Sequence, residues 1–313
     1  MLICVVGDCT LDVTVAPAGP ISPGRDVRAR ISMAPGGQAA NVAVRLARRG
    51  SRVRLVAPIA DDIAGQILAA HLAAESVEVA RLPATHTAMV VSMLGSDGER
   101  SMLSERVALD GDLAGAVRDA DWVHCSGYAL PDGLEADRVV SGIRASGVPG
   151  GVSVGGGSFG SQADATRALE AIESLGACLL IVSRDEAASL AGEPLISAGE
   201  AAGRLASGDR LVVVTDGGRG SVAAGVSLSG AVATGAWSAA TAQDATGAGD
   251  AFVAVVLARL VPAWPPSEVA IRSALDEASE AGAQAAAVLG AQGRLPGEGI
   301  GSAPSPARAR TGA

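Results

Sequence analysis

The chain has 313 residues, which favours one or two domains, and it is 49% hydrophobic but only 2% aromatic, so its core must be built from Ala, Val, Leu and Ile. Its formal net charge of −9 repels phosphate backbones and anionic lipid, which argues against nucleic-acid or membrane-surface partners. All 24 basic residues are arginines, and a chain without lysine has no Walker A loop, no protein-kinase strand lysine and no Schiff-base chemistry.

In chain order, Leu2–Val6 is a strand-like apolar run, too short for a signal h-region and without a basic n-region; a soluble, cytoplasmic protein is expected. Leu11–Val15 with Val27–Met33 alternates like a β-hairpin, with Pro and Gly between the two runs. Gln38–Arg49 carries Ala40, Val44 and Ala47 on one helical face and stops at Gly50. Arg54–Ala57 reads as a strand and Ala64–Ala74 as a helix, and a second hairpin follows at Thr87–Leu94 and Ser101–Leu103. Short apolar runs at Trp122–Ser126, Gly151–Val154, Leu179–Ser183 and Leu211–Thr215 then alternate with helical stretches near 132–146, 163–175, 185–190 and 198–206. Buried strands alternating with helices predict an α/β fold with a mostly parallel sheet, and the two hairpins predict a small β lid from about 11–34 and 86–104. The unit ends near residue 296, and the Gly/Ala/Pro/Ser/Arg composition of 297–313 predicts a disordered tail. The cysteines (Cys4, Cys9, Cys125, Cys178) form no C-x-x-C pair, and His71, His86 and His124 have no metal-ligand spacing, so neither a zinc site nor a histidine triad is expected.

Residues 243–255 carry the chemistry. A Gly-rich turn feeds the helical stretch Ala251–Leu260, so the amides of Ala248, Gly249 and Asp250 are expected to point outward at a helix N-terminus, where unsatisfied N–H groups and the helix dipole favour an anion. Such a site stabilises a phosphoryl group in transfer without a lysine. Asp250 reads on these residues alone either as a capping carboxylate or as a base that takes a proton from an attacking hydroxyl.

Asp244-Ala-Thr-Gly-Ala-Gly-Asp250 resembles the C-terminal signature of the ribokinase (phosphofructokinase-B, PfkB) family of carbohydrate kinases, and Gly36-Gly-Gln-Ala-Ala-Asn-Val-Ala-Val-Arg-Leu-Ala-Arg-Arg-Gly50 resembles its N-terminal signature. The resemblance covers roughly residues 1–295 and implies a three-layer α/β/α sandwich with a β lid. It implies that Asp250 is the catalytic base, with Gly247, Ala248 and Gly249 as its anion hole. Asp12, Gly36, Gly37, Asn41 and Arg100 would meet the sugar; Ser183, Thr215, Gly217 and Gly220 would meet ATP. Glu186 would hold Mg²⁺ through water, and Asp244 and Thr246 a monovalent cation such as K⁺. The implied partner is a small sugar-like substrate, and the exposed lid strands are dimer edges.

The chain departs from that pattern in places. Ser183 stands where the family's Mg²⁺ motif has Asn, Gly155-Gly-Gly157 where an acidic residue is common, Ala245 where the signature begins with Thr, and Asp216 puts a carboxylate near the nucleotide turn. Gly155-Gly-Gly-Ser-Phe-Gly160 also matches G-x-G-x-x-G, but mid-chain and without an N-terminal βαβ unit. The leading expectation is an ATP-dependent sugar kinase. The alternatives are a nucleoside kinase of the same family, for which the few aromatics leave little to stack a base on, and a non-catalytic sugar-binding regulator, which would have no need of Asp250.

Overall fold

In the first strand, β1 (Leu2–Val6), Ile3 and Val5 pack to one side and Leu2, Cys4 and Val6 to the other, all buried. A strand that is apolar on both faces needs a layer on each. The computed structural model supplies both layers; it describes residues 1–95, 100–235, 244–288, 290–296 and 298.

After β1 come β2 (Thr10–Pro17), β3 (Ala29–Gly36), α1 (Gln38–Arg48), β4 (Arg52–Pro58), α2 (Ile63–Ala74), β5 (Glu78–Leu82), β6 (Met89–Leu94) and β7 (Arg100–Ser104). Next are α3 (Leu113–Val117), β8 (Trp122–Ser126), α4 (Gly133–Ser146), β9 (Val152–Gly155), α5 (Gln162–Ser174), β10 (Leu179–Ser183), α6 (Arg184–Ala191) and α7 (Ala198–Leu205). The chain then runs through β11 (Leu211–Thr215), β12 (Ser221–Gly225), β13 (Val232–Ala233), α8 (Ala248–Leu260) and α9 (Glu268–Ala286).

Among the described residues the large sheet has the order β13-β12-β11-β10-β9-β8-β1-β4-β5. Every pair from β11 to β5 is parallel; β12 and β13 close the far edge antiparallel. Helices α1, α2, α8 and α9 bury against one face and α3 to α7 against the other, giving an α/β/α sandwich. Helix α8 is buried almost all round, as its Ala251-Phe-Val-Ala-Val-Val-Leu257 run requires, because it lies between the sheet, α1 and α9.

The second sheet, β3-β2-β6-β7, is the lid. Its register sends Asp12, Val90 and Ser104 to one face and Met33, Val13, Val91 and Leu103 to the other. The first of these faces lines the cavity described below.

The strands at 122–126, 179–183 and 211–215 have the expected ends. Three strands and two helices lay outside the sequence reading: β5, β12 and β13 were not delimited, and α3 and α9 were not anticipated; the start of α8 was also set three residues late. The 19-residue α9 carried a readable signal, with Ile271, Ala274, Leu275, Ala278, Ala281 and Ala285 at helical spacing on its buried face. The expected tail needs one correction: Glu298 is held between Arg45 (2.9 Å) and Arg48 (3.3 Å) with only 3% of its side chain exposed. The rest of 297–313 lies outside the described residues.

Candidate active site

The carboxyl ends of β1, β8, β9, β10 and β11 meet the inner face of the lid around a cavity of about 410 Å³. Ligands in open α/β sheets bind at such strand ends, because the loops there are free to vary while the sheet holds them in place.

The N-terminus of α8 forms the cavity floor. Gly247 precedes the helix at φ 79°, and a Cβ there would lie 2.5 Å from the Ala291 carbonyl oxygen, so only glycine makes this turn. Among the described residues the amides of Gly249 and Asp250 have no acceptor, and both residues line the cavity. Ala248 differs from expectation: its N–H bonds the Ala245 carbonyl at 3.2 Å, closing the turn, so it is not turned outward to an anion.

Asp250 sits in the first helical turn, half-buried. Burial pushes its carboxyl up to about 7, Asn41 opposes that shift by donating a hydrogen bond, and Asp8 adds to it. Asn41, 5% exposed, donates from Nδ2 to Asp250 Oδ2 at 2.8 Å and accepts at Oδ1 from Gln292 Nε2 at 2.9 Å. Sequence reasoning gave Asn41 to substrate hydroxyls; it lines the cavity, and Asp250 and Gln292 engage one donor and one lone pair of its amide, which leaves a second N–H.

Asp12 reaches the cavity from β2, with Thr10 Oγ1 donating to its Oδ1 at 2.7 Å, and burial raises its pKa. Gly36 does not line the cavity; a Cβ there would lie 2.2 Å from Asp12 Oδ2, so its lack of a side chain makes room for this carboxylate. Gly37 does line it, at φ 91°, at the head of α1.

Asp8, four residues before Asp12, is central to the site's framework. It accepts from the Gln38 amide at 2.8 Å and from Ser126 Oγ at 3.1 Å, capping α1 from thirty residues away in the chain. Gln38 in turn donates from Nε2 to the Gly155 carbonyl at 2.7 Å, which ties β1, α1, β8 and β9 together at the cavity. Gly155 itself leaves room for His124, whose Cε1 lies 2.8 Å from where a Cβ at 155 would stand; that space is why an acidic side chain is missing there.

Toward the other end of the cavity lie Ser183, Glu186 and Thr215. Ser183 and Glu186 form a capping box on α6: the Ser183 amide donates to Glu186 Oε2 at 2.7 Å and the Glu186 amide to Ser183 Oγ at 3.3 Å. Burial raises the Glu186 pKa, and its backbone partners oppose that shift. Among the described residues no cluster of three or more His, Cys, Asp or Glu side chains forms a metal cage. A half-buried carboxylate nonetheless suits Mg²⁺, which keeps much of its water and takes its remaining ligands from phosphates.

Gly217 and Gly220 belong to the turn between β11 and β12, outside the cavity lining. A Cβ on Gly220 would lie 2.5 Å from the Gly235 carbonyl oxygen, so the protein's own chain requires glycine there. The carboxylate of Asp216 is already matched by Arg219 (2.7 and 2.6 Å) and faces Arg184 at 3.4 Å. Asp244 joins two loops, accepting from the Thr246 amide at 3.0 Å and the Gly290 amide at 3.1 Å. Arg100 begins β7, but its side chain lies outside the described residues.

Arg106 was overlooked in the sequence. Its guanidinium stacks 4.7 Å over the ring of Tyr128, and both line the cavity under the lid. Its flanks, Glu105 and Val107, carry no pattern that would have singled it out.

The model of the pfkB family of carbohydrate kinases matches residues 1–297. A fructokinase from Klebsiella pneumoniae is 30% identical over 307 residues, covering 93% of this chain and 95% of that protein. The structure of Arabidopsis thaliana ribokinase complexed with ribose and ATP superposes with TM-score 0.72 at 21% identity, covering 96% of each chain. A Vibrio cholerae fructokinase in its fructose, ADP and potassium ion bound form also gives 0.72, at 24% identity over 93% of this chain and 94% of that one.

Proposed function

The chain belongs to the pfkB family of carbohydrate kinases, and on that footing we propose that it transfers the γ-phosphoryl group of ATP to a hydroxyl of a free sugar, with Asp250 as the general base. It is a sugar kinase of the ribokinase-like fold; the substrate and the roles of individual residues are the proposal. The observation that carries it is the half-buried Asp250 carboxylate beside two amides without acceptors, at the floor of a cavity closed by a lid.

The sugar lies under the lid, its hydroxyls donating to Asp12, with Gly37 letting the backbone come close. Asp250 takes the proton of the attacking hydroxyl as its oxygen forms a bond to the γ-phosphorus and the bond to the bridging oxygen of ADP breaks. The Gly249 and Asp250 amides, at the positive end of α8, face the charge that spreads over the transferring group. Asn41 keeps Asp250 aimed, and the proton leaves to solvent when the lid opens. Ser183, Thr215 and Gly217 are the nucleotide side of the site. Glu186 would hold Mg²⁺ through water, and bound Mg²⁺ supplies neutralisation of phosphate charge. Asp244 and Thr246 would hold a monovalent cation.

The Tyr128 ring already carries Arg106 on its face, which takes that surface from a nucleobase and favours a sugar over a nucleoside. The fructokinase relatives make fructose the first sugar to test. The outward face of the lid is apolar, with Ile31 and Met33 63% exposed and Leu103 62%, and it suits a second copy of the chain as partner. Light scattering on Met33→Glu beside the parent protein tests that pairing.

The deciding assay is ADP release with Mg²⁺, with and without K⁺, over pentoses, hexoses, sugar phosphates and nucleosides, with Asp250→Asn as control. Release that depends on a sugar and collapses in Asp250→Asn supports the proposal. A fully active Asp250→Asn refutes it.

A further inference from the structure

Three side chains continue inward from Asp250 in a single file. Asn41 Nδ2 donates to Asp250 Oδ2 (2.8 Å), Gln292 Nε2 donates to Asn41 Oδ1 (2.9 Å), and Gln292 Oε1 pairs with His71 Nε2 (2.6 Å). An amide oxygen only accepts, so His71 carries its proton on Nε2 in this arrangement. Every donor in the file therefore points toward the carboxylate.

The opposite polarity is as easily built from the same atoms. His71 Nε2 would accept from Gln292, Gln292 would accept from Asn41, and Asn41 would present its oxygen to Asp250. That oxygen can meet only a protonated Asp250. The file thus has two self-consistent directions, one for the ionised base and one for the neutral acid, and the structure holds the first.

We propose that Gln292 and His71 are positioning residues of the transfer reaction, which keep the Asn41 amide turned so that it donates to the base. The inference rests on Asp250 being that base. Neither residue itself lines the cavity, and Gln292 is far from the two signature motifs in the chain. The backbone around Gln292 is pinned independently of its side chain: Arg45 Nη2 donates to the Ala291 carbonyl at 2.9 Å and Arg48 Nη1 to the Gln292 carbonyl at 2.8 Å. Substituting the Gln292 side chain leaves those bonds in place. The charges that face Asp250 are Arg45 on α1, Asp8 after β1 and Glu186 on α6; those near His71 are Glu75 on its own helix with its partners Arg48 and Arg294. None is altered by the substitutions.

The test is the pH profile of kcat and kcat/KM between roughly pH 5.5 and 9 for the full chain, with sugar and ATP·Mg²⁺. Gln292→Leu removes the donor to Asn41. It is expected to lower kcat about tenfold with sugar KM within about twofold, and to move the acidic limb up by about half a unit to one unit. Gln292→Glu, which can only accept from Asn41, favours the reversed file and moves the limb further. His71→Phe gives a smaller shift in the same direction, and His71→Gln, which keeps a donor, restores most of it. Acidic limbs that stay in place in both Gln292 variants, in proteins whose melting temperature is unchanged, overturn the inference, as does a loss confined to KM. Asp250→Asn run in parallel separates the two failures: if it is active, the base assignment itself is wrong; if it is dead while the Gln292 limbs stay put, only the positioning role falls.

Discussion

Replacing Asp250 by Asn has two effects of opposite sign, both set by the same desolvation. In the free protein burial raises the carboxyl to about 7, against an ordinary value of 3.8. A base must be ionised to work, so kcat/KM for the sugar is expected to fall tenfold per unit below that midpoint and to stand at about a tenth of its plateau at pH 6. Asp250→Asn removes the base and is expected to cost at least about a hundredfold in kcat at pH 8. The linkage runs the other way. The folded state binds this proton more tightly than the unfolded chain, so the favourable contribution is complete below the unfolded pKa and disappears as pH rises through about 7. The shift corresponds to at most about 4 kcal/mol, and about 2 where water reaches the partly exposed carboxylate. The neutral amide escapes this cost. Asp250→Asn is therefore expected to be more stable than the parent at pH 8 and to lose that advantage toward pH 5. Urea titrations at the two pH values measure it. A mutant of equal or lower stability at pH 8, or a rate that is flat from pH 5.5 to 8 while Asp250→Asn is inactive, refutes the argument that a desolvated carboxylate is the base.

Asp12→Asn keeps the shape but loses the negative acceptor, and is expected to raise sugar KM about tenfold with ATP KM unchanged, read from initial rates. Gly247→Ala forces a Cβ into the Ala291 carbonyl at a left-handed turn; a loss of roughly 1–3 kcal/mol in denaturant unfolding, with kcat falling in step, is expected. Glu298→Ala leaves Arg45 and Arg48, 1% and 3% exposed in their side chains, without this carboxylate. The expected cost is about 3–5 kcal/mol, because an unpaired buried charge is worse than no charge, and Glu298→Gln, which still accepts hydrogen bonds, should lose less.

The parts of the fold that could be read in advance are those whose signal is local. Leu179–Val182 and Leu211–Val214 are apolar at every position, and such short runs are strands buried on both faces. The first lid strand was legible because Val13 and Val15 alternate with Asp12, Thr14 and Ala16. Asp250 was legible because a Gly-rich turn before an apolar helix announces a free helix N-terminus. What escaped depends on partners far away in the chain. Nothing near Asn41 in the chain reveals that Asp250 and Gln292 also engage its amide. Ala248 was assigned to the anion because spacing does not show which amide a turn consumes. Composition placed Glu298 in the tail, since it does not register that two buried arginines pair with it.

That last segment ties stability to chemistry. Residues 290–296 and 298 reach α1 through Arg45 and Arg48, reach the 244–246 turn through Asp244, and press Ala291 against Gly247. They touch no substrate in the proposed reaction, yet the turn that opens α8, the aim of Asn41 and the charge balance around Asp250 all lean on them. An α8 N-terminus built by residues 247–250 alone would present its amides with nothing to fix the φ of Gly247 or to occupy the far side of Asn41. The proposed base and anion site therefore depend on the C-terminal segment for their positions, and a fault there is expected to show first in kcat and its pH dependence, before sugar affinity changes.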